Sequence, residues 1–185
     1  KMKKIFTLMA AAVMALATNA KDYTDNLVVT LAGSSTNTPA TKMIVDEVEN
    51  SDGLYNLTLK DFKFGSINIG DINLENVKGN DDTEGYTYFE EAKTSIKVPF
   101  IGSADVTLKN NGYMKGDKLY LEMSISALGM DISAIYGVAI YDDNLSVSMN
   151  GNPLTEGKQS IYVTDQKDGK YTIALKNFAF AMGAI

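Results

Sequence analysis

The chain of 185 residues has no cysteine, no histidine and no tryptophan, and all of its 17 basic residues are lysine. Each absence removes a class of chemistry. Without cysteine no disulfide braces the fold and no thiol accepts a lipid. Without histidine there is no Ser-His-Asp relay and no imidazole to hold zinc. Without arginine there is no guanidinium fork for bidentate phosphate or guanine recognition. Positive charge is scarce as well, and the formal net charge is -6. Such a chain repels nucleic acid and anionic membrane surfaces, so neither is an expected partner. No glycine pattern matches a phosphate or dinucleotide loop. The reading is of a chain with no cofactor, no metal site and no catalytic residue.

The one long apolar run lies at the start, KMKKIFTLMAAAVMALATNA. Lys1, Lys3 and Lys4 form a basic head, and Ile5 to Ala17 are too few to span a bilayer of about 30 Å. Small and polar residues follow. Residues 1–20 read as a secretory signal peptide cut after Ala20, with Ala17 as the second choice. The mature chain then has no membrane span, and losing the three leader lysines takes its charge to about -9. Export without a lipid-accepting cysteine implies a periplasmic or extracellular protein that is not a lipoprotein. Lys1 precedes Met2, so Met2 reads as the natural start.

Beyond the leader, short stretches alternate between apolar and polar residues. Leu27, Val29 and Leu31 alternate with Asn26, Thr30 and Ala32; Leu119, Leu121, Met123 and Ile125 alternate with Tyr120, Glu122, Ser124 and Ser126. Alternation is the period of a strand with one buried face. Eight strands are expected near 24–32, 41–49, 54–64, 66–78, 86–98, 103–110, 118–127 and 130–138. Gly33 to Pro39 reads as a loop, Asp52-Gly53 and Gly116-Asp117 as tight turns, and Gly79 to Gly85 as an acidic turn. Strands in series with short turns favour an antiparallel barrel or sandwich, and closure removes exposed edges.

Two strings recur. YTDNLVVTLAG (23–33) returns as YDDNLSVSMNG (141–151), and DGLYNLTLKDFKF (52–64) returns as DGKYTIALKNFAF (168–180). The order is kept, which reads as an internal duplication. It divides the mature chain into a barrel domain at 21–140 and a partial second repeat at 141–185, read as cut short with continuation beyond Ile185. The second string also changes phase. Tyr55, Leu57 and Leu59 share one parity, while Phe62 and Phe64 have the other. One extra residue near Lys60-Asp61, a β-bulge, restores a common face. The copy slips at the same place, at Lys176-Asn177 before Phe178 and Phe180.

With LTLKDFKFG (57–65), GDINLENV (70–77), GDKLYLEMSI (116–125) and IALKNFAF (173–180), the pattern resembles the calycin-like β-barrel domain of secreted Bacteroidetes proteins. The resemblance implies an exported, all-β, antiparallel eight-stranded barrel, distantly lipocalin-like, here followed by the first strands of a second, incomplete copy. It carries framework motifs and no catalytic residues.

Carboxylates cluster at Asp81, Asp82 and Glu84, at Glu90-Glu91 and at Asp142-Asp143. A pair about 5–10 Å apart with one raised pKa could hydrolyse a glycoside. Their place in turns and strand ends reads instead as solvated charge. Asp165 to Asp168 lack the alternating ligands of a calcium loop and read as a turn. Tyr86 and Tyr88, beside Phe89, could stack on a sugar but read as half-buried strand residues. Leu27, Val29, Leu31, Tyr55, Leu57, Leu59, Leu121, Met123 and Ile125 should face the interior, either filling it or leaving room for one small ligand. Two functions follow. One is a non-enzymatic barrel binding a small apolar or amphipathic ligand. The other is a structural or adhesive module, with a filled core, that meets an envelope or protein partner in a tandem array.

Overall fold

The computed structural model describes residues 20–64, 67–98, 102–127, 129–165 and 170–175. The leader thus lies outside the described residues, as do Lys176-Asn177, Phe178 and Phe180 and most of the 165–168 turn. All described elements are strands. β1 (Lys21–Leu31), β2 (Ser34–Glu47), β3 (Leu54–Phe64) and β4 (Ile67–Asp81) form a continuous meander. Next come β5 (Thr87–Phe89), β6 (Ala92–Val98), β7 (Gly102–Leu108) and β8 (Tyr113–Lys115). β9 (Lys118–Ala127) and β10 (Met130–Tyr136) complete the first unit. The barrel closes where β10 pairs antiparallel with β1, from Leu27 opposite Tyr136 to Leu31 opposite Ile132. The ring of eight therefore runs β1-β2-β3-β4-β5-β8-β9-β10 and back to β1.

One expected strand is broken in the middle, and one strand has no expected counterpart. The stretch 86–98 divides into β5 and β6 at Glu90-Glu91, the expected 103–110 strand is β7, and the three-residue β8 lies beyond it. The β6–β7 hairpin pairs with the second half of β9, Val106 opposite Ile125, while β8 pairs with the first half. β4 carries a ladder to β5 only over Gly79–Asp81, and no ladder joins it to neighbouring β6. The polar Glu90-Glu91 pair sits at the break, where the Glu90 amide still reaches the Lys78 carbonyl at 2.8 Å.

The expected loop at Gly33–Pro39 is largely strand. β2 starts at Ser34 and pairs with β1 up to Thr38 opposite Leu27, so the turn is only Ala32-Gly33. Ser, Thr and Asn read as loop by composition, yet here they ladder along the wall, and Pro39 is tolerated beside a register shift with Ala40 at positive φ. Asp52-Gly53 is likewise no two-residue turn. It ends a longer connection held by the Val48 amide on the Leu54 carbonyl at 2.8 Å.

The expected bulge is present. Leu59 faces Ile72 and Phe62 faces Gly70, so Lys60 and Asp61 together oppose Asp71. Asp61 takes the left-handed conformation (φ 51°), and its amide donates to Asp71 Oδ1 at 3.0 Å; Lys60 Nζ bonds the other oxygen. The slip turns Phe62 into the core, where it is buried with Leu57, Leu59, Leu121, Met123 and Ile125. Leu27, Val29 and Tyr55 join the same cluster, with Leu31 packed on its border. Tyr136 crosses the interior to donate to the Thr41 carbonyl at 3.2 Å. The walls point polar groups outward, such as Asp71, Asn73 and Glu75 on β4. That is the reverse of a membrane-spanning barrel, whose outer band is apolar. Among the described residues no helix is long and apolar enough to cross a membrane.

Three more strands follow: β11 (Ala139–Met149), β12 (Asn152–Asp165) and β13 (Tyr171–Leu175), an antiparallel sheet in that order. It packs on the outside of the barrel. Tyr162 and Val138 bury Val28, whose side chain points away from the interior, with Ile135, Ile140 and Ala174 around them.

Candidate functional site

The question left by the sequence was whether the barrel is full. For most of its length it is. The inward rows of β1–β10 form one continuous buried cluster, sealed near one end by Tyr55 and Phe89 packed edge to face, 5.6 Å between centroids. Gly79 permits this arrangement, since a Cβ there would lie 2.5 Å from the Tyr55 ring.

Above that seal the mouth is open. A cavity of about 270 Å³ is lined by Tyr23, Val45, Tyr55 and Met114, with Lys21 and Glu47 among the polar residues bordering it. The strand ends explain who meets here: β1 and β3 begin at this end, β2 ends at it, and the two-residue turn after β8 closes it. Tyr23 follows the parity of Leu27, so it points inward and is buried, and its hydroxyl donates to the Gly116 carbonyl at 3.3 Å. Lys21 Nζ donates to the Gly116 carbonyl at 2.6 Å and pairs with Asp117 at 2.9 Å. The Asp117 hydrogen bond holds the Lys21 ammonium above its usual pKa and the Asp117 carboxyl below its own. Burial pushes the Tyr23 and Tyr55 phenols up, so both stay neutral at ordinary pH. An apolar and aromatic floor under a charged rim can take an uncharged body with a polar head.

The Asp82 carboxylate holds the turn after β4, whereas Asp142-Asp143, expected in a turn or at a strand end, lie within β11. Asp82 Oδ1 accepts the amides of Glu84 and Tyr86 at 2.8 Å each, and Oδ2 accepts the Tyr88 hydroxyl at 3.1 Å. Burial presses Asp82 upward, but these bonds and the Lys115 charge outweigh it, and its pKa falls below the usual value. A general acid needs the opposite shift. Asp81 accepts the Thr87 hydroxyl at 2.6 Å, Glu90 accepts the Asn80 amide at 3.0 Å, and Glu91 pairs with Lys93 at 3.0 Å. Asp142 accepts the Ser160 hydroxyl at 2.6 Å, and Asp143 accepts the next backbone amide at 2.7 Å. Among the described residues no acidic cluster gathers to hold a metal ion. Tyr86 and Tyr88 point outward and stack on each other, 5.6 Å apart.

Sequence reasoning missed Lys21, Met114 and Gly116 at the mouth. Only the recurring Tyr of YTDNL and YDDNL hinted that position 23 mattered, and nothing local linked it to Gly116.

The family comparison agrees with the geometry at the level of the fold. The model of the calycin-like beta-barrel domain matches residues 20–137 and again 138–185. No curated protein matches the chain. Among solved structures it is similar to a candidate outer membrane protein from Bacteroides fragilis NCTC 9343, at 17% identity and a TM-score of 0.41. That match covers 64% of this chain and 49% of the other, so the chain spans about half that protein's length. With the family model matched over most of its residues, the chain belongs to the calycin-like beta-barrel domain family.

Proposed function

We propose that this protein is an exported, non-enzymatic barrel that binds one small apolar or amphipathic ligand in its open mouth. The observation that carries this reading is the cavity of about 270 Å³ over the Tyr23, Tyr55 and Met114 floor. It lies just under the roughly 300–1,000 Å³ of drug-sized sites, so the ligand is small or inserts only one end. The packed interior below leaves the mouth as the place to bind. The basic and apolar N-terminal string supports export to the periplasm or beyond. Most of the clustered carboxylates are engaged by neighbouring hydroxyls, amides or lysine, which supports a binding role over hydrolysis.

The test is titration of the mature protein with fluorescent fatty-acid analogues, beside native mass spectrometry of protein purified without detergent. One-to-one saturation that Met114→Arg abolishes is expected, because the new charge fills the floor. No saturable binding by any chain length would remove this reading.

A second reading has its own support. The interior is mostly filled, and β11–β13 expose Tyr141, Tyr171, Ile173 and Leu175. Such a face suits a structural or adhesive module in a tandem envelope array. It predicts concentration-dependent association in sedimentation, weakened by Ile173→Lys. A monomer at every concentration, with no retention on envelope glycan, counts against it.

A further inference from the structure

Phe89 does not border the mouth, yet it fixes where the mouth stops. Its ring is 1% exposed and packs edge to face on Tyr55, and Tyr55 in turn lines the cavity. Two glycines make room for the pair. Gly79 faces Phe89 in the β4–β5 ladder, and a Cβ on it would lie 2.5 Å from the Tyr55 ring. A Cβ on Gly112 would lie 2.9 Å from the Leu121 side chain and 3.7 Å from the Phe89 ring. The backbone that carries Phe89 is pinned on both sides. Its amide donates to the Gly112 carbonyl at 2.9 Å, and the next amide, of Glu90, donates to the Lys78 carbonyl at 2.8 Å. Leu57, Leu108 and Leu121 belong to the same closed core. A ring held this way cannot slide aside for a ligand, and trimming it leaves a void, because such surroundings relax only partly. A void lined by apolar side chains stays dry and takes hydrocarbon.

The mouth thus has a fixed depth and a direction. Lys21, Glu47 and Lys115 stand among its lining, and Tyr23, Tyr55 and Met114 supply apolar surface. An aliphatic chain enters tail first and leaves its polar head among the charges, where it stays hydrated. Each methylene it buries tightens binding about fourfold, until the tail meets the Tyr55 ring. Further methylenes stay in water and add nothing.

We propose that Phe89 is a positioning residue that, by backing Tyr55, selects ligands by length and limits the mouth to one short aliphatic chain. The inference rests on the reading of the mouth as the ligand site, and it concerns chain length, not head group.

The experiment is calorimetric titration of the mature protein with primary n-alkanols from butanol to decanol, whose uncharged head leaves chain length as the variable. In the parent, affinity should climb about fourfold per methylene and then level off. Phe89→Leu keeps most of the apolar area and should fold even where Phe89→Ala does not; it should move the levelling point to a longer chain. Phe89→Ala should move it further and bind decanol about tenfold or more tightly than the parent does. A merely structural role for Phe89 would weaken every chain length alike. That uniform loss, an unchanged levelling point in Phe89→Leu, or a parent affinity that climbs through decanol without levelling would each overturn the assignment while leaving the mouth a ligand site. No saturable binding of any alkanol by the parent would remove the reading of the mouth itself, and the role of Phe89 with it.

Discussion

β1–β3 and β11–β13 carry closely similar strings and meet opposite fates. Leu57 in LYNLTL is 1% exposed, whereas Ile173, at the same place in KYTIAL, is 69% exposed. Tyr55 and Tyr171 differ likewise, 8% against 61%. Both triplets form antiparallel sheets in the same order. The difference is what lies over the inward-type face. In the first triplet β4 to β10 curl round and close on β1. In the second, no described strand does so, and the sheet rests on the barrel through its other face, by Tyr162 and Ala174. A strand's alternation thus states which face can be buried, and the rest of the ring decides whether it is.

The comparison breaks most sharply under paired truncation. Leu57→Ala removes a side chain from a closed core and should cost about 2–5 kcal/mol. Ile173→Ala should change stability by no more than about 0.5 kcal/mol. Urea denaturation of both variants checks this. A comparable loss at Ile173 would mean that the face is covered in solution.

The next effect concerns the contact that seats the second sheet. Val28 is fully buried though it points away from the barrel interior, because Tyr162 lies on it. Tyr162→Ala should lose about 1–3 kcal/mol of that apolar contact. Hydrogen exchange should then quicken in β12 and β13 while β3 and β9 keep their protection. Uniform loss across both sheets would show that they unfold as one unit.

How much of this could be read beforehand follows from the same contrast. Period-two alternation placed seven strands of the ring, and the phase slip between Leu59 and Phe62 placed the bulge, because both are local; the three-residue β8 is too short to show a period. Non-local facts were hidden. Lys21 and Asp117 are 96 positions apart, so no window joins them at the mouth. The break at Glu90-Glu91 depends on how β4 diverges from β6, and the burial of Val28 depends on a sheet more than a hundred residues later. Ser34–Pro39 misled for another reason: composition suggested a loop, while pairing with β1 settled it as strand.

A smaller difference lies in the turns. Ala32-Gly33 joins β1 to β2 with φ of 48° and 83°, and Asn150-Gly151 joins β11 to β12 with φ of 52° and 79°. Leu31 faces Ser34 and Met149 faces Asn152, so both are two-residue hairpin turns. Left-handed backbone costs alanine about 1–2 kcal/mol, while asparagine tolerates it better. Carrying the second turn into the first, Ala32→Asn should stabilise the barrel by about 0.5–1 kcal/mol in a thermal melt. No gain would indicate that packing around Ala32 already offsets the strain.

The smallest effect is the acid limb of stability at the bulge. Lys60 lowers the Asp71 pKa through its hydrogen bond, and the Asp61 amide adds to this against a weaker upward push from burial. A carboxyl whose folded pKa lies below its unfolded value of about 3.9 contributes stability above that value. The contribution fades as pH falls through the folded pKa. Both side chains are one-third exposed, so solvent screening keeps the pair to about 0.2–0.5 kcal/mol. Asp71→Asn should therefore trail the parent by that amount from neutral pH down to about 5, and the gap should close below about 4. Asp61→Asn, the residue the second string carries at 177, keeps both the left-handed tendency and the amide to Asp71. It should leave the acid limb unchanged. If it shifts the limb as much as Asp71→Asn does, the negative charge at Asp61, not the Asp71 contacts, governs the bulge.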